Sequence, residues 1–275
     1  MQNGIKTIVY DEQLRLEAYR FEGISQPFPN HFHEYYVIGY IEKGKRILSC
    51  MNKEYLLQAD DMILFHPGDN HACWQADGGT LDYCGINIPR ERMLEFATEI
   101  TGLPSLPGFS AHVFSHREAG CYYQHLHEMI MNGSKEFEKE ELLLLLLSLL
   151  IQKYGQPFEE YIPECRMEID NACLFMQQHY SEAISLEQLC KETNLSKSTL
   201  LRAFTKTKGV TPYRYLESIR IGEAKKLLER GRLPIEAALL TGFSDQSHFT
   251  NYFSRYIGLT PGAYREIFFN KSQEA

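Results

Sequence analysis

Two stretches of this chain carry the same pattern 48 residues apart, and that repetition constrains the fold more than any other feature. In the first, ISLEQLCKETNLSKSTLLRAFTKTKG from Ile184, Ser185 is placed to N-cap a helix and Gln188 to complete a capping box. Leu186 and Leu189 share a face, Cys190 is small where a second helix must approach closely, and TNL breaks the helix. Ser196 caps the next helix, with Leu200 and Phe204 at i, i+4 on its buried side. That leaves Lys197, Ser198, Leu201, Arg202, Thr205 and Lys206 facing outward. In the second stretch, LPIEAALLTGFSDQSHFTNYFSRYIG from Leu233, Pro234 fits the first helical position. Ala237 and Ala238 permit close helix approach, and Gly242 ends the helix in the left-handed conformation. Ser244 or Asp245 caps a further helix that buries Phe249 and Phe253 and presents Gln246, Ser247, Asn251 and Arg255. Each stretch is a helix-turn-helix. Between them, TPYRYLESIRIGEAKKLLERG reads as one long amphipathic helix, with Pro212 at its start and Gly231 at its end. A plain helical bundle needs the same buried Phe and Leu, but not outward faces of Arg, Lys, Gln and Asn, the residue types that read base edges.

Charge follows the same division. Residues 1–195 carry 15 Lys and Arg against 29 Asp and Glu, whereas residues 196–275 carry 13 against 7. An acidic body with a basic tail domain directs only the tail toward a polyanion. The seven cysteines are scattered without a CxxC pair, which suits reduced thiols in a cytoplasmic protein rather than a disulfide framework. The first residues lack a basic segment followed by an apolar core, so no signal peptide is expected. The longest apolar run, Leu142 to Ile151, is half of the roughly 20 residues that cross a bilayer. It reads as a buried or interface helix, with no membrane partner.

Residues 1 to about 90 read as β structure. EYYVIGYI, KRILSCM, KEYLLQA, DMILFHP and LDYCGINI are short β-branched and aromatic runs separated by the turn signals EKGK, MNKE, QADD, PGDN and ADGGT. This spacing indicates a small sandwich or barrel. From Arg90 the pattern turns helical, and GQPFEEYIPEC, from Gly155, reads as a linker. The chain is therefore expected to be a two-domain α+β protein. Residues 1–112 form a β-rich domain, 113–165 a helical dimerisation segment and linker, and 166–275 an all-α DNA-binding domain. The Leu run is the candidate dimer element, because an acidic leucine helix is awkward to bury wholly within a domain of this size.

GFSDQSHFTNYFSRYIGLTPGAYR, with SKSTLLRAFTKTKGVTPYRYLESIRIGEAKKLL before it, resembles the DNA-binding domain of AraC/XylS-type bacterial transcription regulators over roughly residues 166–268. HFHEYY and DMILFHPGDNHA resemble the cupin-like sensor domain that many such regulators carry. The resemblance implies seven C-terminal helices and two recognition helices entering successive major grooves on one DNA face. By position, Ser198, Leu201 and Arg202 go to bases from the first helix, and Gln246, Ser247 and Asn251 from the second. It departs from the family at Leu201, where a thymine methyl is the expected contact, and at Pro234, where a branched aliphatic is common. Lys206 and Arg255, a turn or more along their helices, are expected at phosphates. The expected partners are promoter DNA, a small-molecule effector, RNA polymerase and a second copy of the chain.

The effector pocket is expected to draw on His31, His33, Tyr35, Tyr36, His66, His71, Trp74 and Tyr83. No cofactor is expected. Metal-binding cupins supply two His and a Glu from the first motif and one His from the second. His31, His33 and His71 fit the imidazoles, but Val37 and Ile38 stand where the Glu belongs, and adjacent Glu34 should face away from His33. Pocket lining or backbone hydrogen bonding is therefore the expected role of these histidines, and His31, His33 and His71 are the candidates if a metal binds. No catalytic residues stand out, since the chain shows no Ser/His/Asp set, phosphate loop or paired carboxylates. A cupin metalloenzyme fused to a DNA-binding tail, and a ligand-independent regulator with a scaffold β domain, are the rival readings.

Overall fold

The computed structural model describes residues 4–51, 53–155, 165–257 and 259–269, apart from the side chains of Arg255 and Phe269. The chain divides into two units, residues 1–161 and 162–275. The expected linker falls largely outside the described residues.

Among the described residues the first unit holds ten strands: β1 (Ile5–Asp11), β2 (Leu16–Ile24), β3 (Phe28–His31), β4 (Tyr36–Lys43), β5 (Arg46–Cys50), β6 (Lys53–Leu57), β7 (Met62–Phe65), β8 (His71–Gln75), β9 (Leu81–Ile88) and β10 (Val113–Phe114). They form a six-stranded sheet in the order β1-β2-β9-β4-β7-β10 and a four-stranded sheet in the order β3-β8-β5-β6. The ladders are antiparallel. Val37, Ile41, Leu48, Cys50, Leu57, Ile63, Phe65, Cys73 and Leu81, from strands of both sheets, make one buried core. This is the arrangement in which two inner faces interdigitate.

The stretch from Pro29 is not one strand. β3 belongs to the smaller sheet and β4 to the larger, so residues 32–35 are spent crossing between sheets, and His33 lies on that crossing.

Three helices complete the unit: α1 (Arg90–Thr101), α2 (Arg117–Met131) and α3 (Glu138–Tyr154). Here the structure corrects two expectations. Val113 and Phe114 pair with Ile63 and Met62 of β7, and α2 packs on β1, β2, β4 and β9. Residues 113–154 are therefore built into the body of the β-rich unit rather than forming a separate segment. The Leu run is also core: Leu142, Leu143, Leu144, Leu146, Leu147, Leu150 and Ile151 are buried, with α1 and α2 against α3. An acidic leucine helix can be buried here because its acidic lead is accommodated too. Lys139 is buried, bonded to Asp11 of β1 and, at 2.7 Å, to the Ser134 carbonyl.

His127 of α2 is buried, and its Nε2 donates to the Tyr19 carbonyl oxygen at 2.9 Å. Burial pushes this imidazole down to about 4, despite that hydrogen bond. From pH 6.5 down to about 4 the unfolded chain binds a proton at this position that the native state refuses. Stability should therefore fall on acidification by about 1.4 kcal/mol per pH unit from this group. His127→Gln, whose amide can donate to the same carbonyl, should flatten the decline by one proton's worth in urea midpoints measured from pH 7 to 5. An unchanged slope would contradict this.

The second unit contains seven helices among the described residues: α4 (Arg166–His179), α5 (Leu186–Thr193), α6 (Lys197–Lys208), α7 (Pro212–Glu229), α8 (Pro234–Leu240), α9 (Gln246–Ile257) and α10 (Pro261–Phe269). Ser185 and Gln188 form the capping box of α5, and Ser196 caps α6. Gly242 sits at φ +81°, where a Cβ would lie 2.6 Å from the Tyr180 carbonyl oxygen. Only glycine meets both demands of that turn.

Candidate functional site

On α6, Leu200, Ala203 and Phe204 face the core as the spacing requires, but the buried arc is wider than a helical hairpin would make it. α4, α5 and α7 all pack against this helix. Ser198 and Leu201, expected outward, are each only 2% exposed. They are therefore removed from the outward face, and with them the contact expected between Leu201 and a thymine methyl. The solvent side runs through Thr199, Arg202 and Lys206, at i, i+3 and i+7, flanked by Lys197 and Thr205. Arg202 Nε donates to the Ser198 carbonyl oxygen at 3.3 Å, laying the guanidinium along its own helix. Lys208 is turned aside to Asp170 of α4 at 2.9 Å.

On α9 three of the four residues expected to face outward do so. Gln246, Ser247 and Asn251 are exposed, while Phe249 and Phe253 are fully buried among Phe243, Ala237, Ala238 and Leu228. Asp245 is the cap: its Oδ1 accepts from the His248 backbone N–H at 2.7 Å. Arg255 lies in α9, with its side chain outside the described residues.

Within the second unit, α7 touches both helix-turn-helix stretches. Arg220 reaches the carbonyl oxygens of Tyr180 and Glu182, before α5, at 2.8 and 2.9 Å. Arg214 bonds buried Glu217 at 2.8 Å and the Tyr252 hydroxyl of α9 at 2.6 Å. Side chains of one helix thus hold both the segment leading into the first helix-turn-helix and the second helix of the other.

Between the sheets of the first unit lies a cavity of about 260 Å³. Its wall is mostly apolar, from Phe21, Phe28, Val37, Ile41, Leu48, Phe65 and Leu81. Besides Tyr35 and Cys73, polar groups come in three sets. Tyr19 and Tyr83 share a hydroxyl hydrogen bond of 2.7 Å, and burial raises both phenols, which keeps them neutral. Asn87 donates to Glu17 at 2.7 Å. The third set is His31, His33 and His71. Space for the tyrosine pair comes from Gly39 and Gly85, which stand opposite each other on β4 and β9. A Cβ at Gly39 would lie 2.7 Å from the Tyr83 ring, and one at Gly85 would lie 2.2 Å from the Tyr19 hydroxyl.

Of the residues expected in the pocket, His31, His33, Tyr35, His71 and Tyr83 line the cavity. Tyr36, His66 and Trp74 do not, and strand alternation explains each: Val37, Phe65 and Cys73, their neighbours, are the ones that face in. Tyr36 instead donates to the Pro107 carbonyl oxygen at 2.9 Å. His66 belongs to a polar cluster, its Nδ1 2.8 Å and His112 Nε2 3.1 Å from Asp69 Oδ2, with His66 Nε2 accepting from the Phe109 N–H. Burial pushes the Asp69 carboxyl up, but the hydrogen bonds from His66 and the nearby His112 outweigh it and hold the group below its ordinary range. Glu17, Tyr19, Phe21, Phe28 and Asn87 line the cavity without having been expected. Glu17, Tyr19 and Phe21 alternate along LEAYRFEGI, a period-2 signal available in the sequence.

The three cavity histidines are close together. Their ligand nitrogens lie within 4.8 Å of one another, and their ring centroids are 4.4 to 5.1 Å apart. Burial, then the neighbouring His71 and His31, push the His33 imidazole down to about 4. Burial also lowers His71. No helix among the described residues is long and apolar enough to cross a membrane.

Comparison with known proteins converges on these same two regions. Residues 14–150 match the AraC-like ligand binding domain family, and residues 189–267 match a helix-turn-helix domain family. The chain is 50% identical over 249 residues to the HTH-type transcriptional regulator YbfI of Bacillus subtilis, covering 90% of each chain. It is 23% identical over 270 residues to the HTH-type transcriptional activator RhaS of Klebsiella pneumoniae, covering 96% of this chain and 93% of that one. Among solved structures, fatty-acid-bound ToxT from Vibrio cholerae aligns over 97% of both chains at 17% identity, with a TM-score of 0.38.

Proposed function

The chain belongs to the AraC-type transcriptional regulators, and from that premise we propose that α6 and α9 read successive major grooves of promoter DNA under control of a small effector held in the cavity of the first unit. The observation that carries this reading is the pair of capped helices with polar solvent faces braced by one helix, α7. Arg202 is assigned to a guanine, and Gln246 and Asn251 to adenines, because a guanidinium fork and an amide match those edges bidentately. Ser247 supports the second contact. Lys197 and Lys206 serve phosphates, which position the protein without reading sequence. The effector is small and mainly apolar, as the cavity wall requires. The relatives' names support a regulator that carries out no reaction of its own.

Lys206→Ala separates positioning from reading. It should weaken binding to all sequences alike and lower the slope of log affinity against log salt by about one unit. Fluorescence anisotropy on two unrelated duplexes across a salt series checks this, and a sequence-dependent loss would contradict it. The effector half is tested by thermal shift on the full chain. A compound present at 100 times its Kd should add about 2.7 kcal/mol to stability and change affinity for a selected operator. A compound that stabilises the chain without moving DNA affinity would argue against control through the cavity.

A further inference from the structure

We propose that the effector is a small arylalkyl amine, held as its ammonium ion against Glu17 with its ring on the aromatic wall, an inference that rests on the reading of the cavity as the effector site. The first support is charge. Among the described residues that line the cavity, Glu17 is the one acidic group, and no Lys or Arg stands beside it. Arg46 of β5 is fully buried outside the lining, its Nη2 on the Ile24 carbonyl oxygen. Lys6 of β1 is exposed, with its ammonium 5.4 Å from the centre of the Phe21 ring, and is also outside the lining. An anion entering this space would give up its water beside a carboxylate and gain no counter-ion. An ammonium ion recovers part of its lost hydration from Glu17.

The second support is an excess of acceptors. Asn87 is 8% exposed, and its Nδ2 donates to Glu17 Oε1 at 2.7 Å. A carboxylate only accepts, which fixes the orientation of the amide. The Asn87 Oδ1 that is left over is buried without a hydrogen-bond partner among the described residues, and a buried acceptor is costly until a donor reaches it. Glu17 and Asn87 are partners in the β2–β9 ladder, and Asn87 and Val37 in the β9–β4 ladder. Carboxylate and amide therefore make one shelf on the inner face of the larger sheet. His31 Nδ1 lies 2.6 Å from the Pro29 carbonyl oxygen, and His71 Nδ1 lies 2.9 Å from that of Asp69. A carbonyl also only accepts, so these rings carry a hydrogen at Nδ1, and in their neutral form each adds an acceptor at Nε2. A primary ammonium group, with three donors and no acceptor, complements such a set.

The rest of the wall sets the body of the molecule. Phe21, Phe28 and Tyr35 bring rings to the cavity, and aromatic faces pack on another ring and attract a cation. A volume of about 260 Å³ is at the small end for ligand pockets, which suits one ring on a short chain. A polyol of that size would turn hydroxyls toward Ile41, Leu48 and Leu57, where they find no partners.

Isothermal titration calorimetry on the full chain tests this with 2-phenylethylamine, 2-phenylethanol and phenylacetate, which keep the ring and exchange the ammonium for a neutral or a negative group. The amine should bind about 10-fold or more tightly than the alcohol, because hydrogen bonds between charged partners are the stronger ones, and the acid should bind weakest. Glu17→Gln keeps an acceptor for Asn87 Nδ2 but removes the charge. It should abolish the advantage of the amine while leaving the affinity for the alcohol and the Tm as in the parent. The ranking on the parent chain decides independently of the variant. Alcohol or acid binding as tightly as the amine, an amine affinity unchanged by Glu17→Gln, or no heat of binding from the amine at millimolar concentration would each overturn the proposal. If the alcohol or the acid then shifts operator affinity, control through the cavity stands without the amine. An amine that binds through Glu17 and leaves operator affinity unchanged upholds the ligand class and contradicts that control.

Discussion

Leu146→Glu is expected to unfold the β-rich unit rather than to split a dimer. Leu146 is fully buried in α3, inside the packing of α1 and α2. Truncation to Ala should cost about 2–5 kcal/mol through lost contacts and the cavity left behind. A carboxylate at the same place has no partner and adds a desolvation cost of several kcal/mol. Against a native stability of about 5–15 kcal/mol, the Glu variant loses most or all of its folded population. Trp74, the chain's single tryptophan, lies in β8 and reports this unit alone. Its fluorescence in guanidinium should show Leu146→Ala shifted to lower denaturant and Leu146→Glu already unfolded without any. A folded, monomeric Leu146→Glu would restore the leucine helix as an interface.

Phe249→Ala should be as damaging at the other end of the chain, at about 3–5 kcal/mol. Phe249 is fully buried between Phe243 and Phe253, with ring centroids 5.1 and 5.4 Å away. It is also the platform for Gln246, Ser247 and Asn251 on the opposite side of α9. Loss of the ring should therefore lower DNA affinity and remove sequence preference in one half of the site, although Phe249 touches no base. Thermal unfolding by far-UV circular dichroism and binding to a selected duplex check the two effects. A destabilised variant with both halves of its preference intact would show that α9 does not read DNA.

How legible each part was depended on whether the deciding interaction is local. The caps at Ser185 and Ser196, the left-handed turn at Gly242 and the buried Phe pairs are set by residues within a few positions of one another, so the sequence carries them directly. Ser198 and Leu201 are buried against expectation because three helices, not one, close on α6, and that packing depends on residues far along the chain. The same applies to the Leu run: its burial depends on α1, α2 and the Lys139–Asp11 pair across 128 residues. In the cavity, the histidines were visible as motifs, but nothing local says that β3 and β4 lie in different sheets or that His31 and His71 stand opposite each other in the ladder. Glu17, Tyr19 and Phe21 do alternate in the sequence, but both faces of β2 mix polar and apolar residues, so the period alone does not say which face lines the cavity.

The division of labour between the two recognition helices is tested most directly by selection from randomised DNA with the parent chain, Arg202→Ala and Gln246→Ala. Each substitution should cost about 1–3 kcal/mol and relax preference at one or two base positions. The two sets of relaxed positions should form separate clusters about 10 base pairs apart, one helical turn, because α6 and α9 each occupy their own major groove on one DNA face. Relaxation of the same cluster by both variants, or a uniform loss of affinity with the preference unchanged, would contradict the account.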